Sequence, residues 1–532
     1  MNHQMLGSVA AMALSAGAAQ ADYTLHVLHI NDFHSRIEAI NKYDTTCSAE
    51  EAAKGACFGG IARVATKVKE LRDSLTAAGQ NVIFVDAGDQ FQGSLMYTTY
   101  KGAVEAEFLE QIRPDAMALG NHEFDDGPEG LGTFLDKVSF PVISGNLDVS
   151  QSNVLAGRVK NHVVLEVGGE KIGIISALAV DTVETASPGP SVIFQDEIDS
   201  LKADVAALEA EGVSKIIAIN HVGFAMDQKI AAEVPGIDAV VGGHSHTYLS
   251  ATDPKRKGAY PTWVSQPSGA MVPVVQAYAY SKYLGHLELT FADDGTLKYA
   301  GGDTLLLDAS VTPDPVIEAR VKELAGPIEE LKTRVVAESA AEIDGSRETC
   351  RQVECQMGNL VADAMLDRVA DQGVTVAIAN GGGLRASIDA GPVTMGEVLT
   401  VLPFQNTLST FTVTGADIVA ALENGVSQHE DGAGRFAQVA GLKYTFDVSQ
   451  PVGSRVSDVM VKAGDAWAPI DPAAEYETVS NNYVRGGGDG YKMFVNARNA
   501  YDFGPDLADV TAEFLARNGA YTPYLDGRIT KK

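Results

Sequence analysis

The chain has 532 residues, which is too long for one ordinary domain. Its composition, 45% hydrophobic and 21% charged, is that of a globular protein and excludes intrinsic disorder and a disulfide-dense mini-protein. With 40 basic and 70 acidic residues the net charge is −30, which gives no general attraction to nucleic acid or anionic lipid. An anionic ligand would therefore need a local source of positive charge.

The first residues have the pattern of an export signal. An alanine-rich apolar run from Met5 to Ala19 precedes Gln20 and Ala21, so small residues flank a predicted cleavage site. We predict a signal peptide over 1–21 and a periplasmic or secreted mature chain. The alternative is a buried helix of a cytosolic protein, since no Lys or Arg precedes the run. The run is too short to span a bilayer and the sequence shows no lipid-anchor tail, so we expect no membrane anchor.

The four cysteines fall into two local pairs. Cys47 lies near Cys57, and Cys350 lies near Cys355. An even count in an oxidising compartment favours two disulfides, each closing a short loop. The alternative is a zinc site with four thiolates, but neither pair has the C-x-x-C spacing that such sites use.

The segment from Tyr23 to about Ala300 alternates short apolar strands with stretches of helical spacing. Such alternation favours an α/β layered domain with buried sheets. The predicted strands are Leu25–Ile30, Val82–Val85, Ala116–Leu119, Lys171–Ala177, Ile216–Ile219 and Ala239–Val241, and the predicted helices include Ile61–Leu71 and Val104–Ile112.

The composition changes near Ser310. Thr312-Pro-Asp-Pro315 interrupts the chain, and charged stretches of helical spacing follow at Val316–Leu324 and Ile328–Val335. We predict a solvated linker helix that begins at a proline and joins two domains. The predicted boundaries are 22–310 for the first domain, 311–336 for the linker and 337–532 for a second, smaller α/β domain.

Polar residues directly follow the predicted strands of the first domain. They are Asp32, Asp89, Asn121, His221 and His244. Because ligands of layered α/β folds bind at the carboxyl ends of strands, we expect these loops to converge on one site.

The residue types at these strand ends indicate metal ions. With His34 and His246 added, they offer carboxylate, amide and imidazole ligands, which suit Zn²⁺, Mn²⁺ or Co²⁺ better than Ca²⁺. Seven ligands exceed the need of one ion, so two ions sharing a carboxylate fit better. Two ions roughly 3.5–4 Å apart activate a bridging hydroxide for in-line attack on a phosphoryl group. They would also be the local positive charge that an acidic protein needs.

The motifs resemble a known family in their order along the chain. Asp32-x-His34, Gly88-Asp89, Gly120-Asn-His-Glu123, His221 and Gly242-Gly-His-Ser-His246 resemble the calcineurin-like metallophosphoesterases. Later motifs narrow the resemblance to the 5′-nucleotidase family, including its animal ecto-enzymes and bacterial periplasmic enzymes: Cys350–Cys355, Asn380–Arg385, Leu402–Phe404 and Gly487–Gly490. The resemblance implies a four-layer α/β sandwich that a helix joins to a smaller, substrate-binding α/β domain.

The resemblance also implies roles for the metal and catalytic residues. One metal would be held by Asp32, His34 and His246, the other by Asn121, His221 and His244, and Asp89 would bridge both. His122 would stabilise the transition state or protonate the leaving oxygen, with Asp125 orienting its ring. The alternative is that His122 merely caps a loop.

The second domain would recognise the rest of the substrate. Arg351 and Arg385 would bond phosphate or ribose oxygens, and the glycine run containing Gly382 would let the backbone approach the ligand beside Asn380. Phe404 and Tyr483 would sandwich the base, and Asp489 would accept a hydrogen bond from the ribose. Arg485 departs from the pattern of the ecto-enzymes. We interpret its side chain as solvated. The alternative is that it binds an additional phosphate group of the substrate.

These residues predict a metal-dependent phosphohydrolase that converts nucleoside 5′-monophosphates such as AMP to nucleoside and phosphate. UDP-sugars, other nucleoside diphosphates or 2′,3′-cyclic nucleotides are alternative substrates. A periplasmic nucleotide-binding protein is the non-enzymatic alternative, although ligand capture needs neither a second ion nor a His122–Asp125 pair. The resemblance also implies domain rotation about the linker, and either a monomer or a homodimer.

Overall fold

The computed structural model describes residues 22–532 except positions 43, 45, 405, 465, 503 and 518, so the predicted signal segment lies outside the described residues. Strands of the N-terminal half are Tyr23–Ile30 (β1), Asn81–Asp86 (β2), Ala116–Ala118 (β3), Val142–Ile143 (β4), Leu147–Asp148 (β5), His162–Val167 (β6), Glu170–Ile175 (β7), Ile193–Phe194 (β8), Lys215–Ile219 (β9), Ala239–Val241 (β10), Leu249–Ser250 (β11), Gly258–Ala259 (β12), Thr262–Ser265 (β13), Met271–Val275 (β14), Tyr283–Phe291 (β15) and Leu297–Leu306 (β16). Its helices are Ala49–Ala53 (α1), Ile61–Ala77 (α2), Leu95–Tyr100 (α3), Ala103–Ile112 (α4), Gly127–Leu135 (α5), Thr182–Thr185 (α6), Glu197–Ala210 (α7) and Phe224–Glu233 (α8).

Two six-stranded sheets form the centre of this half. The first has the order β16-β15-β1-β2-β3-β4 and the second β13-β14-β10-β9-β7-β6. Strands β1 to β4 pair in parallel in the first sheet, as do β7, β9, β10 and β14 in the second. The carboxyl ends of the parallel strands of a sheet therefore lie at one edge.

Helices cover the outer face of each sheet. Val27 and Val85 of the first sheet share a buried core with Ile174 and Ile219 of the second. Helices α2, α4 and α5 pack on the first sheet, and α7 and α8 pack on the second. The predicted four-layer sandwich is confirmed. Because these strands are buried on both faces, they read as continuous apolar runs in the sequence.

A single helix, Pro315–Thr333 (α9), joins the two halves. Asp314 caps it by accepting hydrogen bonds from two backbone N–H groups, with Pro315 in the first turn as predicted. The prediction that this helix is solvated was wrong for one of its faces, because five side chains at helical spacing are buried against the first domain: Ile317, Val321, Leu324, Ala325 and Ile328. The helix also ends before Val335, which begins the next strand.

The C-terminal half is a second α/β unit. Its strands are Val335–Ser339 (β17), Val376–Asn380 (β18), Gly391–Thr394 (β19), Leu408–Thr414 (β20), Ala437–Ala440 (β21), Leu442–Phe446 (β22), Val456–Ala463 (β23), Ala466–Pro469 (β24), Glu475–Asn481 (β25), Arg498–Tyr501 (β26), Ala520–Tyr521 (β27) and Ile529–Lys531 (β28). Its helices are Arg347–Cys350 (α10), Gln356–Arg368 (α11), Met395–Val401 (α12), Gly415–Val426 (α13), Asn482–Arg485 (α14) and Leu507–Arg517 (α15). Its central sheet, β21-β18-β25-β20-β26, packs against α11 on one face and α13 on the other.

The cysteines form the two predicted local disulfides. The Cα atoms of Cys47 and Cys57 are 5.8 Å apart, and those of Cys350 and Cys355 are 5.0 Å apart. Both distances are ordinary for disulfides, and with all four thiols bonded the alternative of a thiolate zinc site is excluded. Among the residues that the structure describes, no helix is both long and apolar enough to cross a membrane.

Candidate active site

The predicted metal ligands lie on loops that leave the carboxyl ends of five strands. Asp32, Asp89 and Asn121 follow β1, β2 and β3 of the first sheet, and His221 and His244 follow β9 and β10 of the second. Because the two sheets pack face to face, these loops meet at one end of the sandwich. The expected convergence is what the structure shows.

Asp32, His34 and His246 form a first cluster of buried ligand atoms. The Nε2 atoms of His34 and His246 are 3.0 Å apart, and His246 Nε2 lies 3.3 Å from Asp32 Oδ1. Burial holds the pKa of both histidines well below the usual value, so their rings are neutral and can ligate a cation. The three side chains can share one ion.

A second cluster lies beside the first. Asn121 Oδ1 is 2.9 Å from His244 Nδ1, and the rings of His244 and His221 are 5.2 Å apart. The Nε2 atom of His221 is buried without a hydrogen-bond partner. Burial lowers the pKa of His221, but Asp89, Asp32 and the carbonyl oxygen of Ala87 together raise it more, to about 10. A divalent ion would compete with that proton for Nε2.

Asp89 lies between the two clusters. Its Oδ2 atom is 3.7 Å from His34 Nε2 and 3.1 Å from His221 Nε2. Its Oδ1 atom accepts a hydrogen bond of 2.9 Å from the backbone N–H of His122. One carboxylate is thus within reach of both groups of ligands. Converging buried carboxylate, amide and imidazole atoms fit divalent cations.

The His122 ring is held by a carboxylate. Its Nδ1 atom lies 2.7 Å from Asp125 Oδ2, within hydrogen-bonding distance. Burial lowers the pKa of His122, but Asp125 and Asp89 raise it above the usual value. The ring also lies close to His34 and Asp89.

Glu123 is a site residue that the sequence interpretation missed. Its carboxylate is fully buried and joins the loop of Asp89 to the loop of Asn121. It accepts four backbone hydrogen bonds, from Gly120 (2.7 Å), Gln90 (2.8 Å), Asp89 (2.9 Å) and Phe91 (3.2 Å). An acidic residue directly after His122, between short apolar strands, was the available signal.

Several site residues have left-handed backbone conformations. Asp32, His34, Asp89, His244 and His246 have φ angles between 50° and 71°. Residues other than glycine seldom adopt this region, and such residues cluster at active sites. The loops thus carry local strain that the packed sandwich sustains.

A cleft of about 1610 Å³ lies between the two domains and brings both predicted sets of residues together. Predicted metal ligands such as His34, Asp89 and His244 line it from the first domain. All the predicted substrate residues line it from the second: Arg351, Asn380, Gly382, Arg385, Phe404, Tyr483 and Asp489.

Arginine side chains of the second domain approach the two clusters of ligand atoms. Arg385 Nη2 is 3.3 Å from His34 Nε2. Arg351 is buried, its Nε has no hydrogen-bond partner, and burial together with the neighbouring arginines lowers its pKa. Arg347, which was not predicted, donates to the carbonyl oxygen of His244 over 3.4 Å. Its position four residues before Arg351, on the same face of a helical turn, was the available signal.

Three of the predicted substrate-binding residues are linked to one another. Asn380 Nδ2 donates to Asp489 Oδ2 over 2.6 Å, and the Tyr483 hydroxyl donates to Asp489 Oδ1 over 3.3 Å. Gly382 also lies close to another loop of its own domain. A Cβ atom there would lie 2.9 Å from Gly434 Cα, so glycine allows two loops of the second domain to pack.

Arg485 is not solvated as expected. Its Nε donates to Asp502 Oδ1 over 2.6 Å, and both side chains are partly buried. The guanidinium is thus paired with a carboxylate of its own domain. This pairing disfavours the alternative that Arg485 binds a phosphate group.

Comparison with known proteins agrees with this geometry. Residues 25–248 match the calcineurin-like phosphoesterase family, whose metal-dependent members imply divalent ions here, and residues 335–496 match the 5′-nucleotidase C-terminal domain. The 5′-nucleotidases of Diplobatis ommata and Homo sapiens are 39% and 36% identical, over 97% and 98% of this chain and 91% and 94% of theirs. The crystal structure of a 5′-nucleotidase precursor from Thermus thermophilus superposes with a TM-score of 0.90 at 40% identity, covering 96% of this chain and 99% of that one. The chain therefore belongs to the 5′-nucleotidase family, with a calcineurin-like phosphoesterase domain followed by a 5′-nucleotidase C-terminal domain.

Proposed function

We propose that the protein is a metal-dependent 5′-nucleotidase that hydrolyses nucleoside 5′-monophosphates such as AMP to nucleoside and phosphate. One observation carries the proposal: a single cleft has converging metal-ligand atoms on one wall and arginine and aromatic side chains on the other. A phosphate at the ligand clusters would leave its nucleoside facing the second domain.

Seven side chains would hold two divalent ions, Zn²⁺, Mn²⁺ or Co²⁺. Asp32, His34 and His246 would bind one, Asn121, His221 and His244 the other, and Asp89 both. When bound, such ions neutralise phosphoryl oxygens and lower the pKa of water. The distances between the facing ligand atoms support this division.

Other side chains would bind the substrate and move a proton. Arg351 and Arg385 bind the phosphate oxygens by charge-assisted hydrogen bonds. His122, held by Asp125 at Nδ1, keeps a proton at Nε2 and delivers it to the leaving 5′-oxygen.

The nucleoside would lie against the second domain. Phe404 and Tyr483 provide aromatic faces for the base. Asp489, beside Tyr483, accepts a hydrogen bond from a ribose hydroxyl. Holding the base at a fixed distance from the ligand clusters would select a terminal 5′-phosphate.

Nucleoside diphosphates, including UDP-sugars, are a second candidate substrate class. The observation that favours them is Arg347, a third guanidinium that lies with Arg351 and Arg385 in the cleft and donates to the carbonyl oxygen of His244. This positive charge exceeds what one phosphate group requires.

We also propose that the protein acts in the periplasm or outside the cell. The two disulfides support an oxidising compartment, because such bonds rarely persist in the cytosol. The motif at residues 1–21 supports export.

The test is phosphate release from AMP with a metal titration. We expect EDTA to abolish hydrolysis and Mn²⁺, Co²⁺ or Zn²⁺ to restore it, and an active metal-free protein would refute the proposal. The same assay with ADP, UDP-glucose and 2′,3′-cyclic AMP ranks the substrate classes.

A further inference from the structure

The ring of Phe404 stacks on the imidazole of His122. Their centroids are 5.8 Å apart and their planes are inclined by 26°, within the range of favourable offset stacking. Phe404 follows helix α12 of the second domain, whereas His122 lies in the loop after β3 of the first. The contact therefore crosses the cleft.

Further contacts hold this stack in place. The Arg385 guanidinium carbon lies 5.5 Å from the Phe404 ring centroid, and the same side chain reaches to 3.3 Å from His34 Nε2. On the other side, Asp125 fixes only the Nδ1 edge of the His122 ring. Phe404 stacks on a face of that ring, and His34 lies in a T-shaped arrangement with its centroid 5.1 Å away.

Tyr483, the other predicted base platform, is placed differently. Its hydroxyl bonds to Asp489, and its ring packs so closely on Gly488 that a Cβ there would lie 2.4 Å from the ring. These contacts fix Tyr483 within the second domain. The two platforms are therefore not equivalent, because Phe404 contacts His122 while Tyr483 is tied to Asp489.

We propose that Phe404, besides stacking on the base, is a positioning residue that fixes the imidazole plane of His122 when the two domains are closed. The inference rests on the proposed function, because it assigns a second role to a residue of that site. Its consequence is that the proton donor is correctly oriented only in the closed enzyme. An open enzyme would hold a misaligned donor.

A double-mutant cycle on AMP hydrolysis tests the proposal, using the wild type, F404L, H122A and the double variant. We expect F404L to lower kcat by ~10–100-fold, which is part of the factor that a positioned acid contributes. F404Y keeps an aromatic ring at this position and should retain most of the wild-type kcat. In the H122A background, F404L should change kcat by less than about 3-fold, because the ring to be positioned is gone. Y483L is the matched comparison, and it should raise KM by the same factor in both backgrounds.

Two results would overturn the inference. In one, F404L raises only KM, as expected of a base platform alone. In the other, F404L lowers kcat equally with and without His122, as expected of a general structural defect. Bound metal, measured on all variants, separates such a defect from a local one. Failure of the wild type to hydrolyse AMP would instead refute the proposed function.

Discussion

The cleft wall from the N-terminal domain and the wall from the C-terminal domain differ in how their polar groups are satisfied. On the first wall, Asp89 is tied to neighbours by hydrogen bonds before any substrate arrives, and its backbone is held by Glu123. On the second wall the buried Arg351 has an Nε donor without an acceptor, whereas on the first wall Nε2 of His221 is buried without a partner. The unpartnered imidazole nitrogen of the first wall suits a cation, and the unpartnered guanidinium donor of the second suits an anion.

This difference predicts separable effects of substitution. Changes on the first wall should affect turnover and metal affinity, and changes on the second should affect substrate affinity.

Replacing His122 by Ala should have the largest effect on chemistry. We expect kcat for AMP to fall by ~10²–10⁴-fold, the usual contribution of an acid–base group, while bound metal stays unchanged. Steady-state kinetics and metal analysis check this. His162, which pairs with Asp204 on the outside of the sandwich, provides the matched His162→Ala control. An unchanged kcat in H122A would show that His122 is not the proton donor.

Glu123→Gln tests whether the first wall is organised by this carboxylate. The amide offers one acceptor oxygen and an NH₂ group that faces backbone donors, so the loops of Asp89 and Asn121 should loosen. We expect metal affinity to fall by ~10–100-fold, as for other residues that support metal ligands. The measurement is a Mn²⁺ activation curve of the metal-stripped protein.

Glu197 provides the control for this experiment. It is also buried and accepts a backbone hydrogen bond, from Val180 over 3.1 Å, but it lies at the start of α7 away from the ligand clusters. Glu197→Gln should leave the Mn²⁺ curve unchanged. Equal curves for the wild type and Glu123→Gln would show that the loops keep their geometry without the carboxylate.

Arg351→Lys tests the second wall. A lysine keeps the charge but loses the forked donors, and one hydrogen bond to a charged group is worth about 1.5–3 kcal/mol. We expect KM for AMP to rise by ~10–100-fold with a smaller change in kcat. Arg158→Lys, which alters an ion pair with Asp136 outside the cleft, is the control. A change confined to kcat would contradict the division between the walls.

Arg485→Met should have the smallest effect. The ion pair with Asp502 is partly exposed, and such pairs contribute about 0–1 kcal/mol to the free energy of unfolding. We expect KM values for AMP and ADP to stay at those of the wild type. Urea unfolding and kinetics on both nucleotides check this, and a rise in KM for ADP alone would mean that Arg485 reads a second phosphate.

The sequence was sufficient to predict the layered fold and the residues that meet at the strand ends. Both depend on local signals, because an apolar run marks a buried strand and the next polar residues mark its carboxyl end. Asp32, Asp89 and His221 were therefore identifiable without knowledge of the packing. The disulfides were predictable for the same reason, since each closes a short loop.

The features that could not be predicted depend on contacts between distant segments. The charge pattern of α9 concealed the stripe that includes Val321, because the partner surface lies on helices of the first domain. Neither the pairing of Arg485 with Asp502 nor the stacking of Phe404 on His122 has a signal in sequence spacing. Such contacts arise from tertiary packing, which overrides local preference.

The left-handed backbone at the ligand loops has a consequence for which amino acids can serve there. Apart from glycine, this conformation is adopted most readily by Asn, Asp and His. Asp32, Asp89 and His244, with φ angles of 50°, 58° and 71°, combine this tolerance with oxygen or nitrogen donors for a cation. A longer carboxylate such as Glu would meet the chemical requirement but fit the chain path poorly. The amino acids suitable at these positions are thus limited both by the need to coordinate a cation and by the left-handed backbone.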